Sequence, residues 1–240
     1  MSGHSKWSTI KRKKGAKDAQ RGAEFTRLGK DITLAARDGG GDVNMNAPLR
    51  LVVKKARASN MPNNNIDRAI KKGTGDLPGI KYESYIYEGY GPHGIALLIE
   101  VLTDNKNRTV PEIRHLLSKN NGNLGESGCV NWMFEKRGII LINKKGLNED
   151  TFLNDLLDLG IDNFEELDDE YQLLIHPDDF TEIIISLENK NYNLEGDLSL
   201  IPTNTIAIHS KDLDQIIKLI EILEAHDDIQ KVHTNLEIID

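Results

Sequence analysis

The chain has 240 residues, 38% of them hydrophobic and 28% charged, with a net charge of −8 at pH 7. This length exceeds the usual size of one compact domain and predicts two or three small domains. No apolar run approaches the roughly 20 residues that a membrane helix needs, and the single cysteine, Cys129, excludes an intramolecular disulfide. We therefore expect a cytoplasmic globular protein. The disfavoured alternative is a cleaved targeting segment, because the first 17 residues are basic and free of acids.

The charge of the chain is strongly segregated. Residues 1–75 carry 17 Lys+Arg against 6 Asp+Glu, whereas the remaining residues carry 13 against 32. Phosphate binding depends on the local field and not on the total charge, so the acidic average does not exclude a nucleic-acid partner. The sequence predicts a basic binding region followed by an acidic remainder that weakens off-target binding of polyanions.

A basic arm and three helices are predicted in the first quarter of the chain. Residues 2–17 show neither helical nor strand periodicity, which predicts a mobile arm. The first helix is expected to end at the glycine triplet 39–41, and the second has Pro48 in its first turn. The third helix is predicted at 62–72, with Gly73 closing its C-terminus.

The hydrophobic pattern then changes from helical to alternating. Two strands at 82–90 and 95–102 are predicted to form a hairpin. The capping-box pattern Thr109–Glu112 predicts the start of a helix, and residues 129–134 are predicted as the next strand.

Residues 139–200 follow the order β-α-β-β-α-β, which is typical of a ferredoxin-like unit. A strand at 205–209, a helix at 213–225 and a strand near Val232 come after it. These elements cannot bury their apolar faces alone, so we expect them to complete the sheet begun before the unit. We therefore predict an α+β fold with three domains: an N-terminal three-helix domain (1–75), a discontinuous α/β middle domain (76–135 with 203–240) and an inserted ferredoxin-like α+β domain (136–202).

Two glycine-rich segments match phosphate-binding loops only in part. Gly89–Gly94 has the letters of the dinucleotide motif but leads into a strand, which favours a hairpin turn. Gly122–Gly128 lacks the Lys-Ser/Thr ending of a phosphate loop, so a chain connection is favoured over an anion-binding turn. The seven histidines lack metal-ligand spacing, and neither Ser127 nor Cys129 has the signature of a nucleophile. These patterns predict no enzyme activity, no metal and no cofactor.

The polar segment Thr103–Arg108 lies between an apolar strand and a predicted helix. Lys106 and Arg108 at a helix N-terminus could contact a phosphate. Equally, the asparagines of this segment could fix a structural turn. Both interpretations remain open at this point.

The strongest functional pattern is the run of basic residues in the arm and on the helices. Flexible lysines and arginines neutralise phosphates and release counterions, and an exposed tryptophan can stack on an unpaired base. The alternative is a solvated basic tail with its tryptophan packed on the helices. We predict nucleic-acid contacts from the basic residues of this region and its tryptophan: Lys6, Trp7, Lys11, Arg12, Lys13, Lys14, Lys17, Arg21, Arg27, Arg37, Arg50, Lys54, Lys55, Arg57 and Arg68, with Lys71 and Lys72 continuing the charge.

Several motifs together resemble the YebC/PmpR family over nearly the whole chain. They are MSGHSKWSTIKRKKGAKDAQRGAEFTRLGKDITLAAR, NAPLR, NMPNNNIDRAIKKG, YEGYGPHGIALLIEVLTDNKNRT and GNLGESGCV. The resemblance implies a helical N-terminal domain, a discontinuous middle domain and an inserted ferredoxin-like domain, without catalytic residues or a cofactor. Members of this family are described as transcriptional regulators, and mitochondrial relatives as translational activators.

The resemblance implies a non-enzymatic, nucleic-acid-binding regulator of gene expression, with a DNA-binding transcriptional regulator as the leading hypothesis. The close alternative is a ribosome-associated factor that binds rRNA and relieves stalled elongation. A basic arm with one tryptophan suits either a minor groove or a folded RNA. A protein-interaction scaffold that works through its acidic domains is the third hypothesis. Neither a membrane partner nor a small-molecule substrate is expected.

Overall fold

The computed structural model describes residues 20–77 and 82–239. The arm predicted at residues 2–17 lies outside these ranges. Within them, the chain forms a group of helices and three sheets, which is the mixed α+β class expected from the sequence.

Three helices near the N-terminus pack around one small core and form the helical unit. They are α1 (Gln20–Gly39), α2 (Ala47–Ala58) and α3 (Asn63–Thr74). Apolar residues at helical spacing supply the core, in which Ile32, Leu49 and Ile66 are buried. Asn46 caps α2, since its side chain accepts a hydrogen bond from the Leu49 amide.

The predicted end of the third helix at Gly73 is wrong. α3 continues to Thr74, and Gly75, with a φ of 83°, closes it in the left-handed conformation that favours glycine. Gly73 is instead a contact point between helices. A Cβ at this position would overlap the Thr33 carbonyl oxygen and approach the Ala36 Cβ to 2.7 Å. The glycine therefore allows α1 and α3 to pack closely.

A four-stranded sheet, the central sheet, follows the helices. Its strands lie in the order β3 (Asn123–Leu124), β1 (Glu83–Tyr90), β2 (Ala96–Thr103) and β9 (Ile229–Thr234). Two helices, α4 (Lys106–Lys119) and α7 (Leu213–Glu224), share a core with one face of the sheet, which includes Leu97, Ile99 and Val232. The predicted hairpin turn is confirmed, because β1 pairs with β2 and both His93 and Gly94 have positive φ.

A second four-stranded sheet with two helices forms the ferredoxin-like unit. Its elements are β4 (Phe134–Asn143), α5 (Glu149–Asp158), β5 (Phe164–Glu166), β6 (Glu170–Ile175), α6 (Phe180–Asn189) and β7 (Leu194–Pro202). All neighbouring strands are antiparallel, in the order β5-β6-β4-β7, which is the predicted arrangement. Phe134 lies opposite Pro202, so the unit begins and ends at adjacent points. The domain boundaries proposed above stay predictions.

Two elements predicted from sequence patterns are wrong in position. Residues 129–134 do not form one strand, because Asn131–Met133 make a short 3-10 turn and β4 begins only at Phe134. The helix predicted to start at Thr109 begins earlier, at Lys106. Asn105 caps it by accepting a hydrogen bond from the Arg108 amide.

The strand predicted at 205–209 forms as β8 (Ile206–His209) but does not join the central sheet. It pairs in parallel with β10 (Leu236–Ile239), a strand that the sequence pattern did not indicate. The expectation that all three C-terminal elements extend the central sheet is therefore wrong for β8, whereas β9 does pair with β2.

Candidate nucleic-acid interface

Exposed basic residues lie on the outer surface of α2 and α3. Arg68 and Lys71 are exposed on α3 with Asn64, and the spacing of these three places them on one face. Arg57 is exposed near the C-terminus of α2. Within residues 20–77 and 82–239, neither these two arginines nor Lys71 forms an ion pair. These cations are therefore available to a phosphate.

Other predicted contact residues lie elsewhere or are already engaged. The seven predicted residues of the arm, from Lys6 to Lys17, lie outside the described residues, as does the side chain of Arg21, whereas Arg27 is half-buried on α1. Arg37 pairs with Asp38 at 2.9 Å on the surface.

Arg50 and Lys54 connect the helical unit to the ferredoxin-like unit. Arg50 donates to the Glu188 carboxylate at 2.9 Å, and Lys54 Nζ donates to the Leu194 carbonyl at 3.0 Å. The two basic residues are one helical turn apart on α2, so one side of this helix faces the ferredoxin-like unit. Both residues were predicted as nucleic-acid contacts, and the structure engages their donors within the protein.

Lys30 anchors the helical unit to the central sheet, and the sequence did not single it out. Its side chain is only 6% exposed. The ammonium donates to the Leu102 carbonyl at 2.9 Å, to the Asp227 carbonyl at 2.7 Å and to Asp228 Oδ1 at 2.9 Å. These three acceptors satisfy all three donors of the buried ammonium. Nothing in its local spacing marks this lysine, because every acceptor is distant in sequence.

Asp228 is the centre of a buried polar network. Its Oδ2 atom accepts hydrogen bonds from Thr103 Oγ1 at 3.0 Å, Thr109 Oγ1 at 2.7 Å and Arg108 Nη2 at 2.6 Å. Burial opposes ionisation, but the bonds from Arg108 and Lys30 hold the pKa of this carboxyl well below its usual range. Asp228 is therefore charged and fixes the start of α4 against the end of α7.

This network occupies the positions at which a phosphate contact was predicted. Arg108 pairs with Asp228 and, at 3.2 Å, with Asp104, while Lys106 Nζ lies 4.8 Å from the ring centre of Tyr85. A cleft of about 670 Å³ opens beside these residues, and its lining includes Glu112. The guanidinium already has carboxylate partners, which supports the structural interpretation of the Thr103–Arg108 segment over the phosphate interpretation.

The glycine-rich connection before β4 does bind a carboxylate, but that carboxylate belongs to the same chain. Glu88 on β1 accepts hydrogen bonds from the amides of Gly128 at 2.6 Å, Val130 at 2.8 Å and Asn131 at 2.8 Å. Although burial disfavours the charge, these three donors lower the pKa of Glu88. These amides are therefore already occupied, and the segment connects α4 with β4 by way of β3.

A second polar cluster lies where the helical unit, the central sheet and the ferredoxin-like unit meet. Lys231 on β9 pairs with Asp197 on β7 at 2.7 Å, and His233 Nε2 lies 2.6 Å from Glu100 Oε1. Asp31 on α1 faces this cluster, and burial raises its pKa to about 6 despite the attraction of Lys231. Partly buried ionisable groups thus connect the three units.

Metal ligation and membrane insertion have no structural support within the described ranges. No group of three or more His, Cys, Asp or Glu side chains there is arranged to hold a metal ion. In the same ranges, no helix is long and apolar enough to cross a membrane.

The fold and these contacts define an α+β protein in which a basic three-helix unit is fixed to two sheet-containing units. A family model described as the TACO1/YebC N-terminal domain matches residues 5–76, and another described as the TACO1/YebC second and third domain matches residues 82–236. The chain belongs to the TACO1/YebC family, as its sequence motifs had indicated.

Similar proteins cover the whole length of the chain. A relative from Syntrophomonas wolfei is 51% identical over 100% of this chain and 98% of its own, and one from Desulfotalea psychrophila is 49% identical over 99% and 96%. Both are named "probable transcriptional regulatory protein". The crystal structure of a conserved hypothetical protein from Aquifex aeolicus superimposes with a TM-score of 0.81, at 38% identity and 93% coverage of both chains.

Proposed function

We propose that the protein is a non-enzymatic regulator of gene expression that binds nucleic acid through its basic N-terminal region. The specific function that we favour is that of a DNA-binding transcriptional regulator. One observation carries the proposal: the positive charge concentrated in residues 1–75 continues on the helices as exposed Arg57, Arg68 and Lys71, which form no ion pair with any residue of 20–77 and 82–239. The names of the relatives support a role in transcription.

The exposed face of α3 favours duplex DNA as the target. Asn64, Arg68 and Lys71 lie on one face at spacings of four and three residues. Asparagine and arginine are the side chains that pair with adenine and guanine edges in the major groove, and lysine contacts phosphates. A 12-residue helix is about 18 Å long, which suits insertion into that groove.

The test separates the basic region from the remaining positive charge of the chain. Replacing Lys11, Arg12, Lys13 and Lys14 by alanine should weaken binding to all DNA sequences equally, since phosphate contacts carry little base information. It should also flatten the log–log salt dependence by about 0.9 for each lost contact on duplex DNA. A matched control removes four exposed lysines outside this region: Lys119, Lys145, Lys211 and Lys218. Equal losses in both variants would refute the proposed surface.

Crosslink mapping in cells identifies the target. Promoter fragments without rRNA support transcriptional regulation. Recovery of rRNA without promoters would instead support the ribosome-associated translation factor, and recovery of neither would support the protein-interaction scaffold. An Arg68→Ala variant should relax sequence preference if α3 reads bases, whereas Arg57→Ala should lower affinity uniformly.

A further inference from the structure

Helix α4 carries a charge opposite to that of the other helices in the two sheet-containing units. Its 14 residues include four Lys+Arg and one Glu, whereas α5, α6 and α7 together carry nine Asp+Glu and one lysine. Residues 76–240 as a whole have 13 basic residues against 32 acidic ones. The acidic helices already supply the net charge that keeps a protein soluble, so solubility does not explain one basic helix among them.

The outer face of α4 presents Arg114, His115 and Lys119 to solvent. All three are exposed, whereas Ile113 and Leu117 are buried against the central sheet. Successive residues of a helix are rotated by about 100°, which places His115 opposite Ile113. Lys119 follows His115 after one turn, at a rise of about 6 Å, and Arg114 lies beside them. We call Arg114, His115 and Lys119 the α4 face.

The acidic partners of α4 lie away from the α4 face. Within residues 20–77 and 82–239, the ion pairs of this helix involve only Arg108 and Glu112. Glu112, the one acidic residue of α4, has its Oε2 atom 2.9 Å from His226 Nε2, just beyond the end of α7. His226 Nδ1 accepts a hydrogen bond from the Asp228 amide at 3.1 Å, so Nε2 carries the proton and donates to Glu112. The cations of the α4 face are therefore not engaged within these ranges.

The start of α4 is fixed to the helical unit. Asp228 accepts hydrogen bonds from Lys30 of α1 and from Arg108 of α4, so the same carboxylate holds both elements. From this point α4 extends over about 21 Å, at about 1.5 Å per residue. Duplex DNA carries one negative charge per about 1.7 Å of its axis, so a duplex that continues from the helical unit along α4 offers phosphates over this whole length.

We propose that the α4 face is a second phosphate-contacting surface, which extends the nucleic-acid site from the helical unit onto the central sheet. Arginine, lysine and other donor side chains bind phosphate oxygens and fix the register of a protein on a duplex without reading bases. The acidic surface of the remaining helices repels the same backbone, so α4 is the helix of the two sheet-containing units that a duplex can approach. The inference rests on the proposed function, because the phosphates belong to the nucleic acid bound by the N-terminal region.

The first test measures the affinity of the full chain for a DNA duplex as a function of salt. Arg114→Gln with Lys119→Gln removes two contacts, so we expect the affinity to fall about ten- to thirtyfold at about 0.15 M salt. The log–log salt slope should become less steep by about 1.8, since each contact contributes about 0.9. A double variant with the affinity and the slope of the parent overturns the inference.

Lys211→Gln with Lys218→Gln is the matched control. Both lysines are exposed, one on α7 and one in the turn before it, and the change in charge is identical. This control should bind within about twofold of the parent. Equal losses in the two double variants would show an effect of net charge alone and overturn the surface. The four-lysine control described above includes Lys119, so it should lose one contact against four for the arm variant.

A tethered cleavage reagent tests the position of the DNA directly. An iron chelate on Ser118→Cys, next to the α4 face, should cleave a bound duplex, whereas the same chelate on Asn154→Cys of the acidic helix α5 should not. Both positions are exposed, and both variants carry Cys129→Ser so that the label has one site. No cleavage from position 118, or equal cleavage from both positions, overturns the placement.

The proposed function and this inference fail in different ways. If the parent binds no duplex, the proposed function fails and the α4 contact fails with it. If the arm variant loses affinity but the α4 variant does not, the proposed function stands and the inference is wrong. In that case Lys119 only stabilises the last turn of α4 against the helix dipole, which a lower melting temperature of the α4 variant would show.

Discussion

The Lys30 side chain is only 6% exposed and carries its charge into a polar network, so its removal should be costly. Lys30→Met removes the donor to Asp228 Oδ1 and to two backbone carbonyls, so we expect a loss of about 3 kcal/mol in the free energy of unfolding. Lys71→Met, an exposed change on α3, should alter stability by less than about 0.5 kcal/mol. Urea unfolding of both variants measures the difference, and equal stabilities would contradict the anchoring role.

Asp31 should lower the stability of the protein as the pH rises, whereas an aspartate in an ordinary ion pair raises it. The pKa of Asp31 is about 6 in the folded protein, which is above its value in the unfolded chain. Its contribution to the free energy of unfolding is therefore fully present below about pH 4 and is lost as the pH rises through 6. Asp31→Asn removes this loss and should stabilise the protein by about 2 kcal/mol at pH 7.5 but not at pH 4. Asp67→Asn, an exposed change on α3, should have the same effect at both values. Unfolding curves of both variants at pH 4 and pH 7.5 measure these differences, and an equal effect of Asp31→Asn at the two pH values would contradict the raised pKa.

At the scale of single elements, replacing either of two helical glycines by alanine should change the stability of the protein, but in opposite directions. Gly73→Ala places a methyl group against the Thr33 carbonyl and Ala36, so we expect a loss of about 2 kcal/mol despite the better helix propensity of alanine. Gly29→Ala on α1 meets no atom within 4 Å and should stabilise by up to about 1 kcal/mol. Thermal unfolding measures both, and a stabilising Gly73→Ala would refute the close helix contact.

The existence of the elements could be predicted from the sequence, whereas several of their ends could not. Apolar spacing located α1, α2 and the ferredoxin-like unit because their packing repeats with the local period. Thr109 looked like a cap, but its hydroxyl donates to Asp228, 119 positions away. Gly73 looked like a terminator, but it serves a contact with α1. Such signals depend on partners that are distant in the chain.

The basic region could be predicted from the sequence, but the engagement of each basic side chain could not. Charge counting indicated the first 75 residues, and Arg57 and Arg68 are exposed there. The same counting could not distinguish them from Arg50 and Lys54, whose partners Glu188 and Leu194 lie in the ferredoxin-like unit. Charge type is visible in a sequence, but the partner of each charge depends on tertiary packing.

At the scale of the whole molecule, the ferredoxin-like unit should be separable from the rest. Its buried core consists of its own residues, with Leu51 of α2 packed against them, and its first and last residues lie side by side, with the Thr203 amide donating to the Met133 carbonyl at 2.7 Å. We expect residues 134–202 to unfold cooperatively in isolation. Replacing them by a short glycine linker should leave the central sheet intact.

A fragment ending before that unit should behave differently. Residues 82–133 lack β9 and α7, which share the core of the central sheet, so this fragment should not fold. Circular dichroism and thermal unfolding of the three proteins test the division, and a cooperative transition in the short fragment would contradict it.

The Lys30 anchor has a consequence for the order of events during synthesis. Its partner Asp228 is 198 positions further along, a delay of roughly 10–40 s at translation rates of about 5–20 residues per second. Through residue 75 the growing chain carries 17 basic residues against 6 acidic ones, and only the later two thirds reverse the sign. A nascent molecule is thus a polycation before it becomes an acidic protein. Its basic helices are therefore complete before the residue that anchors them has been made.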